Sequence, residues 1–460
     1  MKASARHRYP KQQRGVQRPF RFYIVSLGCP KNTVDASGMA VLLQRAGYVG
    51  VQDLSQADMV VVNTCGFIEP ARQESSETLR ELAAQLRPSQ ALVAAGCWAQ
   101  RDPEALLAAV PTLTAVVGTR SWPDIVSVAA MLAKKTAPTA PMRVAQGSLV
   151  LPEQAGAPGY AVSGASAFLK IADGCSRQCA FCAIPLIKGP SVSRTPEAIL
   201  ADARALQQMG VLEINLIAQD ITYYGHDLGM KDGLAQLLTR LAQEVPQVPW
   251  LRLLYTFPGY VTTRLIDVIA QTPQVLPYID IPLQHAHPEV LKRMRRPADV
   301  EDVRRTIAQL RERLPEVALR TTFIVGFPGE TDAEFQTLQE FIKEMRFDRL
   351  GVFTYSSENG VPAAQWADDI PQAVKEARRE ALMLAQQEIS EAANQQWVGR
   401  RLSVLLEGTG DGVTIGRSYR DAPEIDGLVL IPETLEPDRI VTIEITEATV
   451  YDLVGRLCVG

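Results

Sequence analysis

The chain has 460 residues, of which 47% are hydrophobic and 21% are charged. These proportions are typical of a globular protein with more than one domain. No apolar run approaches the ~20 residues that a membrane span needs, and the basic first 21 residues lack the apolar stretch of a secretory signal. We therefore expect a cytoplasmic protein without membrane contact. In a reducing cytosol its seven cysteines would act as metal ligands or reactive groups rather than disulfides.

Residues 1–20 are predicted to be a basic, disordered tail, with a loose contact to ribosomal RNA as the alternative. The chain as a whole carries a net charge of −4, although its first 21 residues hold seven Lys or Arg and no acid. The remainder is therefore acidic, which is not typical of a dedicated nucleic-acid-binding protein.

Residues 21–133 alternate short apolar runs with helical patterns. The runs "RFYIVSL", "MVVVNT" and "LVAAG" have the composition of buried parallel strands. The stretch "NTVDASGMAVLLQRAG" predicts a helix that ends at Gly47. Together they predict a small doubly wound α/β domain. Residues 134–160 hold four prolines among Ala, Gly and Ser, and we predict a linker there.

Residues 161–392 repeat a strand and helix pattern six times. The predicted strands are "AFLKIA", "VLEINLI", "WLRLLYTF", "YIDIPL", "LRTTFIV" and "LGVFTY". One helix has clear boundaries, with Thr195 as N-cap, Pro196 in its first position and Gly210 beyond its end. Six repeats predict an open, partial (β/α)6 barrel rather than a closed barrel of eight units. After a charged helix, the short strands and turns of residues 395–460 predict a small β-barrel.

Three cysteines follow the first predicted strand of the partial barrel, in "IADGCSRQCAFCAIP". Cys175, Cys179 and Cys182 have the spacing C-x3-C-x2-C, and no second pair is near, which disfavours a structural zinc site. Thiolates also hold iron–sulfur clusters, and three of them leave one iron of a four-iron cluster open to a ligand. The position at the carboxyl end of a strand is where such barrels place their chemistry.

A second set consists of Cys29, Cys65 and Cys97, in "SLGCPKN", "NTCGFIEPARQES" and "AAGCWAQRDPEAL". Any one of them alone is most often a small buried hydrophobic residue. Each follows a predicted parallel strand, however, so we expect all three at the carboxyl edge of one sheet, where open α/β sheets bind ligands. This arrangement supports a second cluster held by three thiolates. Cys458 has no partner in this pattern, and we interpret it as structural or incidental.

The C-x3-C-x2-C motif after the first strand of a partial barrel resembles the radical S-adenosylmethionine superfamily. The resemblance implies a [4Fe-4S] cluster on Cys175, Cys179 and Cys182 whose open iron binds S-adenosylmethionine. Reduction of the cluster would cleave this cofactor to a 5′-deoxyadenosyl radical. Phe181 matches the aromatic residue usual before the last cysteine and is a predicted cofactor contact.

Two three-cysteine sets and a C-terminal β-barrel together resemble the methylthiotransferases of that superfamily. The resemblance covers nearly the whole chain and implies an N-terminal iron–sulfur domain (21–133), a radical core (161–392) and a TRAM domain (395–460). "SLGCPKN" and "NTCGFIEPA" resemble the enzymes that act on ribosomal protein S12, whereas the transfer-RNA enzymes tend toward "GCQMN" and "NTCxxRxxA". In "LIKGPSVSR", Lys188 stands where the family more often has Arg, which keeps the charge but loses the guanidinium fork.

This resemblance implies methylthiolation of the β-carbon of an aspartate in ribosomal protein S12, free or in the small subunit. One S-adenosylmethionine would donate the methyl group and a second would supply the radical, with the sulfur at or from the N-terminal cluster. No catalytic residue beyond the two [4Fe-4S] clusters is implied, and the electron donor would be a flavodoxin or ferredoxin. The alternatives are the same chemistry at C2 of a transfer-RNA adenosine, and a non-catalytic iron–sulfur RNA-binding ribosome factor.

The charge of the C-terminal barrel bears on the substrate. Residues 395–460 hold six Arg, no Lys and eleven Asp or Glu, a net charge of −5. A surface that binds RNA phosphates is expected to be basic, whereas an acidic surface suits a basic protein partner. A transfer-RNA partner is therefore not expected. The acids of "RDAPEIDG", Asp421, Glu424 and Asp426, are interpreted either as a substrate contact or as a solvated turn.

Three further residues are predicted cofactor contacts. Gln284 lies at the end of a barrel strand, and Gly326 and Gly329 in "GFPGE" would shape a loop near the cofactor, with a plain turn as the alternative. His285 and His287 are expected to line the pocket or cap the next helix rather than bind metal. A solvated helix face, rather than a contact with RNA or an acidic side chain, is predicted for Lys292, Arg293, Arg295 and Arg296.

Overall fold

The structure is a computed structural model that describes residues 18–134, 140–145 and 147–458. Except for residues 18–20, the predicted basic tail lies outside the described residues. No helix in these ranges combines the length and apolar composition needed to cross a membrane.

The first part of the chain is a parallel sheet between helices. Its strands are β1 (Arg21–Ser26), β2 (Val49–Gly50), β3 (Met59–Thr64), β4 (Ala91–Gly96), β5 (Ala115–Gly118) and β6 (Met142–Val144). The helices are α1 (Pro30–Arg45), α2 (Glu69–Gln85), α3 (Cys97–Arg101), α4 (Pro103–Ala109) and α5 (Ile125–Ala133). Within the described residues the strand order is β2-β1-β3-β4-β5-β6, and each of these pairings is parallel.

Both faces of this sheet are covered, because its strands are apolar at successive positions. Met59 and Val61 pack with α1 and α5 on one face, whereas Val60 and Val62 pack with α2 and α4 on the other. The doubly wound α/β prediction is confirmed. The segment predicted as a linker is more ordered than expected, since β6 extends the sheet beside β5. Met142 and Val144 join the core of the first face, which explains why this short run forms a strand.

The central part is an open sheet with helices along one side. Its strands are β7 (Tyr160–Ser163), β8 (Ser166–Lys170), β9 (Ala172–Asp173), β10 (Val192–Ser193), β11 (Glu213–Ile217), β12 (Trp250–Leu253), β13 (Val275–Asp280), β14 (Ala318–Val325) and β15 (Arg349–Thr354). The helices are α6 (Pro152–Ala155), α7 (Ile184–Lys188), α8 (Pro196–Gln208), α9 (Gly233–Glu244), α10 (Thr263–Gln271), α11 (Pro288–Arg293), α12 (Val300–Arg313), α13 (Asp332–Met345) and α14 (Gln372–Gln395).

In the described residues the order of the main sheet is β15-β14-β13-β12-β11-β8-β7, with β7 antiparallel and the other strands parallel. All six predicted barrel strands are present, and the sheet stays open, as predicted for a partial (β/α)6 barrel. The predicted boundary of α8 is also confirmed: the Thr195 hydroxyl accepts a hydrogen bond from Ala198 N–H at 3.3 Å, and Gly210 has a φ of 80°.

The C-terminal part is a closed barrel. Its strands are β16 (Arg401–Gly410), β17 (Val413–Ser418), β18 (Val429–Ile431), β19 (Ile440–Ala448) and β20 (Leu453–Leu457), in the order β16-β17-β18-β20-β19. Its apolar core includes Val404, Ile431 and Ile443. The predicted small β-barrel is confirmed.

The closed barrel docks onto the inner face of the open sheet through buried charges. Glu213 of β11 forms ion pairs with Arg252 of β12 at 2.8 Å and with Arg417 of β17 at 2.6 Å, and all three side chains are buried. Burial alone would raise the pKa of Glu213, but the two guanidinium groups outweigh it and lower the pKa to about 2. The carboxylate is therefore held in its charged form between the two domains.

The acids of "RDAPEIDG" belong to the same interface. Asp421 pairs with Arg349 at 2.5 Å, and Asp426 accepts a hydrogen bond from the Tyr278 hydroxyl at 2.7 Å. The side chains of both acids are buried. Asp421 and Asp426 are therefore neither a substrate contact nor part of a solvated turn, the two interpretations from sequence. The third acid of the run, Glu424, is exposed. Ion pairs of both orientations therefore cross this interface: Arg349 of the sheet pairs with Asp421 of the barrel, and Arg417 of the barrel pairs with Glu213 of the sheet.

Candidate active site

The first three cysteines lie at one edge of the first sheet. Cys29 follows β1 and caps α1, Cys65 follows β3, and Cys97 follows β4 as the first residue of α3. Because β1, β3 and β4 are neighbours in the sheet, their carboxyl ends place the three thiols together. The convergence that the strand pattern predicted is confirmed.

A glycine beside each cysteine lets these loops approach one another. Gly28 has a φ of +87°, and a Cβ atom there would lie 2.8 Å from the Cβ and 3.1 Å from the Sγ of Cys65. Gly66 is equally close to the backbone of Trp98. Side chains at these positions would push the cysteine loops apart.

Two thiols of this first set, those of Cys65 and Cys97, lie in poorly solvated surroundings. Burial raises the pKa of Cys65 and of Cys97, and the neighbouring Cys29 thiol raises both further. A thiolate in such a place needs a compensating cation. Iron ions would supply that charge, so the donor set fits an iron–sulfur cluster.

The second set lies in the loop between β9 and α7. Cys175 N–H donates to Gly189 O at 3.0 Å, and Cys182 N–H donates to Cys179 O at 3.2 Å. Burial, with a smaller contribution from the other thiols of the set, raises the pKa of Cys175 to about 11 and that of Cys182 to about 12. In the described residues, no three His, Cys, Asp or Glu side chains are arranged around a single metal ion.

Arg296 contacts the second set, which the sequence did not predict. Its Nη1 donates to Cys179 Sγ at 3.6 Å, and its guanidinium lies 4.1 Å from the ring centroid of Phe257. The solvated helix face predicted for this basic run holds for Lys292, whose side chain is mostly exposed, but not for Arg296. No sequence signal marks this contact, because the turn that follows α11, where Arg295 has a φ of 55°, is visible only in the structure.

The predicted cofactor contacts Phe181 and Gln284 lie near this loop. The Phe181 ring packs edge to face on Phe327 at 6.5 Å, within a buried apolar cluster. Gln284 continues β13 beside β14, with its N–H donating to Thr322 O at 2.8 Å, and has a φ of 74°. A left-handed backbone at a non-glycine residue is often found at functional sites. The cofactor contacts of both residues stay predictions.

Gly326 and Gly329 shape the turn after β14. Gly326 N–H donates to the buried Glu330 carboxylate at 2.9 Å, and a Cβ there would overlap the alkyl chain of Lys375. Gly329 has a φ of +73° and faces open space. A side chain at position 326 would therefore collide with Lys375 of α14, which explains the glycine there. The cofactor contacts of Gly326 and Gly329 stay predictions.

His287 caps the next helix, which is one of the two roles expected for the histidines. His285 is buried, and its Nδ1 accepts from His287 N–H at 2.9 Å. His287 Nδ1 accepts from Glu289 N–H at 3.3 Å and caps α11.

The two cysteine sets meet across the interface between the first and second sheets. Cys97 packs in one apolar cluster with Ala183, Ile187 and Val361. Ala183 directly follows Cys182, so the loop of the second set lies against a cysteine of the first. This contact brings together the loops that carry the two predicted cluster sites.

A buried network of two lysines and two aspartates joins the same loops. Lys170 of β8 and Lys188 of α7 each form ion pairs with both Asp35 of α1 and Asp173 of β9. The distance is 3.0 Å for both ion pairs of Lys188 and for the pair between Lys170 and Asp173. Burial alone would raise the pKa of Asp173, but the two ammonium groups hold it well below its usual range. Lys188, the one departure noted in the family motif, therefore has a definite partner set that needs no guanidinium fork.

Comparison with known proteins agrees with this architecture. Three family models match the chain: the uncharacterized protein family UPF0004 at residues 21–118, the Radical SAM superfamily at 169–342 and the TRAM domain at 398–458. The solved radical S-adenosylmethionine methyltransferase TsrM from Kitasatospora setae superposes with a TM-score of 0.55 at 15% identity, covering 86% of this chain and 80% of that chain. OxsB, a cobalamin-dependent S-adenosylmethionine radical enzyme, gives a TM-score of 0.51 at 12% identity, covering 81% and 56%. At these identities the likeness shows the fold alone.

Fold and site together define a radical S-adenosylmethionine methylthiotransferase, an enzyme class that uses S-adenosylmethionine and [4Fe-4S] clusters. The chain is 47% identical to ribosomal protein uS12 methylthiotransferase RimO of Roseiflexus sp. (strain RS-1), covering 95% of this chain and 97% of that protein. It is 45% identical to the protein of that name from Chloroflexus aurantiacus, covering 95% and 99%. The chain belongs to the ribosomal protein uS12 methylthiotransferase family.

Proposed function

We propose that this protein attaches a methylthio group to the β-carbon of an aspartate in ribosomal protein S12. The names of its relatives support the substrate. One structural observation carries the proposal: Cys97 packs against Ala183 and Ile187, beside Cys182. This contact matters because sulfur delivery and hydrogen abstraction occur at the same carbon atom, so the two reactive centres have to lie close together.

Each residue set has a role in this proposal. Cys29, Cys65 and Cys97 would hold the cluster at which sulfur is delivered, and Cys175, Cys179 and Cys182 the cluster that binds S-adenosylmethionine. When bound, these groups supply reductive cleavage of the cofactor, hydrogen abstraction and a methylated sulfur. The protein itself holds the thiols in place, excludes water with apolar residues between the two sets, and directs a guanidinium group at one thiol. The chain divisions 21–133, 161–392 and 395–460 form part of the proposal.

The charge of the C-terminal barrel and the need for a reductant indicate the binding partners of the protein. In the C-terminal barrel the docking interface buries two arginines, Arg417 and Arg420, and two acids, Asp421 and Asp426. Because equal numbers of positive and negative charges are buried, the remaining residues of 395–460 keep a net charge of −5. This charge favours a basic protein over RNA as the binding partner. A flavodoxin or ferredoxin in the cytoplasm is the proposed electron donor.

The direct test is an anaerobic reaction of the reconstituted enzyme with S-adenosylmethionine, a reductant and either S12 or a transfer RNA. Intact-mass analysis should show one hydrogen of S12 replaced by a methylthio group, at an aspartate. Modification of the transfer RNA instead would promote the first alternative, and absence of any cofactor cleavage would promote the non-catalytic one.

Single-cysteine variants assign the two sites. Cys65→Ala should still cleave the cofactor under reduction but form no methylthiolated S12, whereas Cys179→Ala should do neither. Iron and sulfide analysis should give about eight of each per chain, for two four-iron clusters. Replacing Cys175, Cys179 and Cys182 by Ala should halve that content. Stoichiometric zinc in its place would contradict the assignment.

A further inference from the structure

Lys31 is a buried cation with no anionic partner. It lies two residues after Cys29 in the first turn of α1, and only 8% of its surface is exposed. Its Nζ lies 3.2 Å from the ring centroid of Tyr255. Among the described residues, no carboxylate pairs with it and no acceptor receives a hydrogen bond from it. Most of this cationic side chain is withdrawn from water with no anion beside it, so the free protein presents an electrostatically incomplete site.

The carboxylates closest to this site are engaged elsewhere. Asp35, one turn further along α1, is shared between Lys170 and Lys188. Asp280, whose charge acts on Tyr255, pairs with Arg320 at 2.9 Å. Neither of them is left to neutralise Lys31, so no carboxylate of the described residues balances its charge.

Tyr255 is held in a strained conformation beneath Lys31. It follows β12 with a φ of 70°, a region that bulky residues rarely adopt. Two hydrogen bonds fix it there: its N–H donates to an Asp280 oxygen at 3.0 Å, and its carbonyl accepts from Ile221 N–H at 3.0 Å. Strain of this kind persists where the surroundings impose it, and it concentrates at functional sites. Here it places an aromatic face against the ammonium group.

The location of the pair connects it with the reaction. Lys31 belongs to the cysteine-bearing edge of the first sheet, and Tyr255 to the carboxyl end of a barrel strand, the end that carries Cys175. The pair therefore spans the same interface as the two thiol sets. In an aspartate the carboxylate is bonded directly to the β-carbon, so a carboxylate held there brings that carbon to this interface.

We propose that Lys31 binds the side-chain carboxylate of the substrate aspartate and that Tyr255 is a positioning residue that orients the ammonium group. The inference rests on the proposed function for the identity of the substrate. A neutral adenine ring offers no anion to Lys31. The contact would thus select an acidic side chain as well as orient it.

The test is a double-mutant cycle between enzyme and substrate. The parent enzyme is first used to identify the modified aspartate of S12 by mass spectrometry, and S12 with that aspartate replaced by Asn is prepared. Lys31→Met should lower kcat/KM for S12 about tenfold to a hundredfold, the loss expected for a hydrogen bond to a charged group. Lys31→Arg should retain more of the activity than Lys31→Met. With the Asn substrate, the parent and Lys31→Met should differ by less than about threefold, because the shared contact is already lost.

Thermal unfolding without S12 separates this role from a structural one. Lys31→Met replaces an unpaired buried charge by an apolar side chain, so the melting temperature should stay the same or rise. A lower melting temperature together with additive losses in the cycle would overturn the inference. If the parent enzyme forms no methylthiolated S12, it is the proposed function that fails, before Lys31 is tested.

Discussion

Asp35 and Lys188 form a buried ion pair at 3.0 Å across the interface between the two cysteine-bearing domains. Asp35 lies on α1, which starts after Cys29, and Lys188 ends α7, which starts after Cys182. The pair therefore links the loops of both predicted clusters. We infer that this ion pair fixes the distance and orientation between the two reactive centres, because it holds the two cysteine-bearing loops together.

Asp35→Asn tests this link. The change leaves Lys170 and Lys188 with Asp173 alone, and loss of one partner from a buried ionic network costs about 3–5 kcal/mol. We expect lower thermal stability and fewer methylthiolated products per cofactor cleaved, measured by calorimetry and by product ratios. Asp332→Asn is the matched control, since the side chain of Asp332 is 98% exposed and its ion pair should contribute little. Equal effects of the two variants would contradict the role of the network.

Gly28→Ala should damage the first cluster site selectively. The added methyl would lie 2.8 Å from the Cβ of Cys65, in a left-handed backbone. We expect iron content to fall by about half, the share of one of two clusters. Gly47→Ala is the control, because Gly47 has a φ of +90° but nothing within 4 Å of the added methyl. It should cost about 1–2 kcal/mol of stability and leave iron content unchanged. If both variants lost iron, the strain of a side chain in a left-handed backbone would explain the loss, and the contact between position 28 and Cys65 would not be needed.

Arg296→Met should lower the reduction potential of the second cluster. The guanidinium lies 3.6 Å from Cys179 Sγ, and a cationic donor at a ligand sulfur stabilises the more negative, reduced cluster. Redox titration followed by electron paramagnetic resonance measures the shift. Arg295→Met, at the exposed neighbouring position, should leave the potential unchanged. An unchanged potential in Arg296→Met would mean that this hydrogen bond does not reach the cluster.

Docking of the C-terminal barrel should weaken in acid through Glu213. Its pKa is lowered to about 2 by Arg252 and Arg417 despite burial. A carboxylate whose pKa is depressed on folding contributes stability above its unfolded pKa of about 4.3, and that contribution is lost as pH falls toward 2. The free energy of unfolding of Glu213→Gln should therefore differ from the parent most above pH 4.3 and least near pH 2. Urea unfolding across this range measures the difference. Glu436→Gln, at a side chain 90% exposed, should show no such trend, and a similar trend there would exclude Glu213 as the source.

Local patterns were sufficient for the fold and for the placement of the six cysteines at strand ends and in one loop. Strands β1, β3 and β4 are short apolar runs, and each cysteine lies within three residues of the end of its strand, so the parallel sheet brings Cys29, Cys65 and Cys97 to one edge. The spacing of Cys175, Cys179 and Cys182 places those thiols in a single loop. Periodicity, caps and motif spacing are properties of neighbouring residues, and the sequence by itself therefore determined the domain types and the likeness to a family.

Contacts between distant parts of the chain were decided only by the tertiary structure. One partner of Lys188, Asp35, and the arginine partners of Asp421 and Asp426 lie on other domains. No local pattern distinguishes a buried ion pair from a solvated charge. Arg296 and Lys31 likewise had the appearance of ordinary polar positions. Whether a charged side chain meets an anion, an aromatic ring, a thiol or water depends on how the domains pack, because desolvation and pairing energies are set by distances through space.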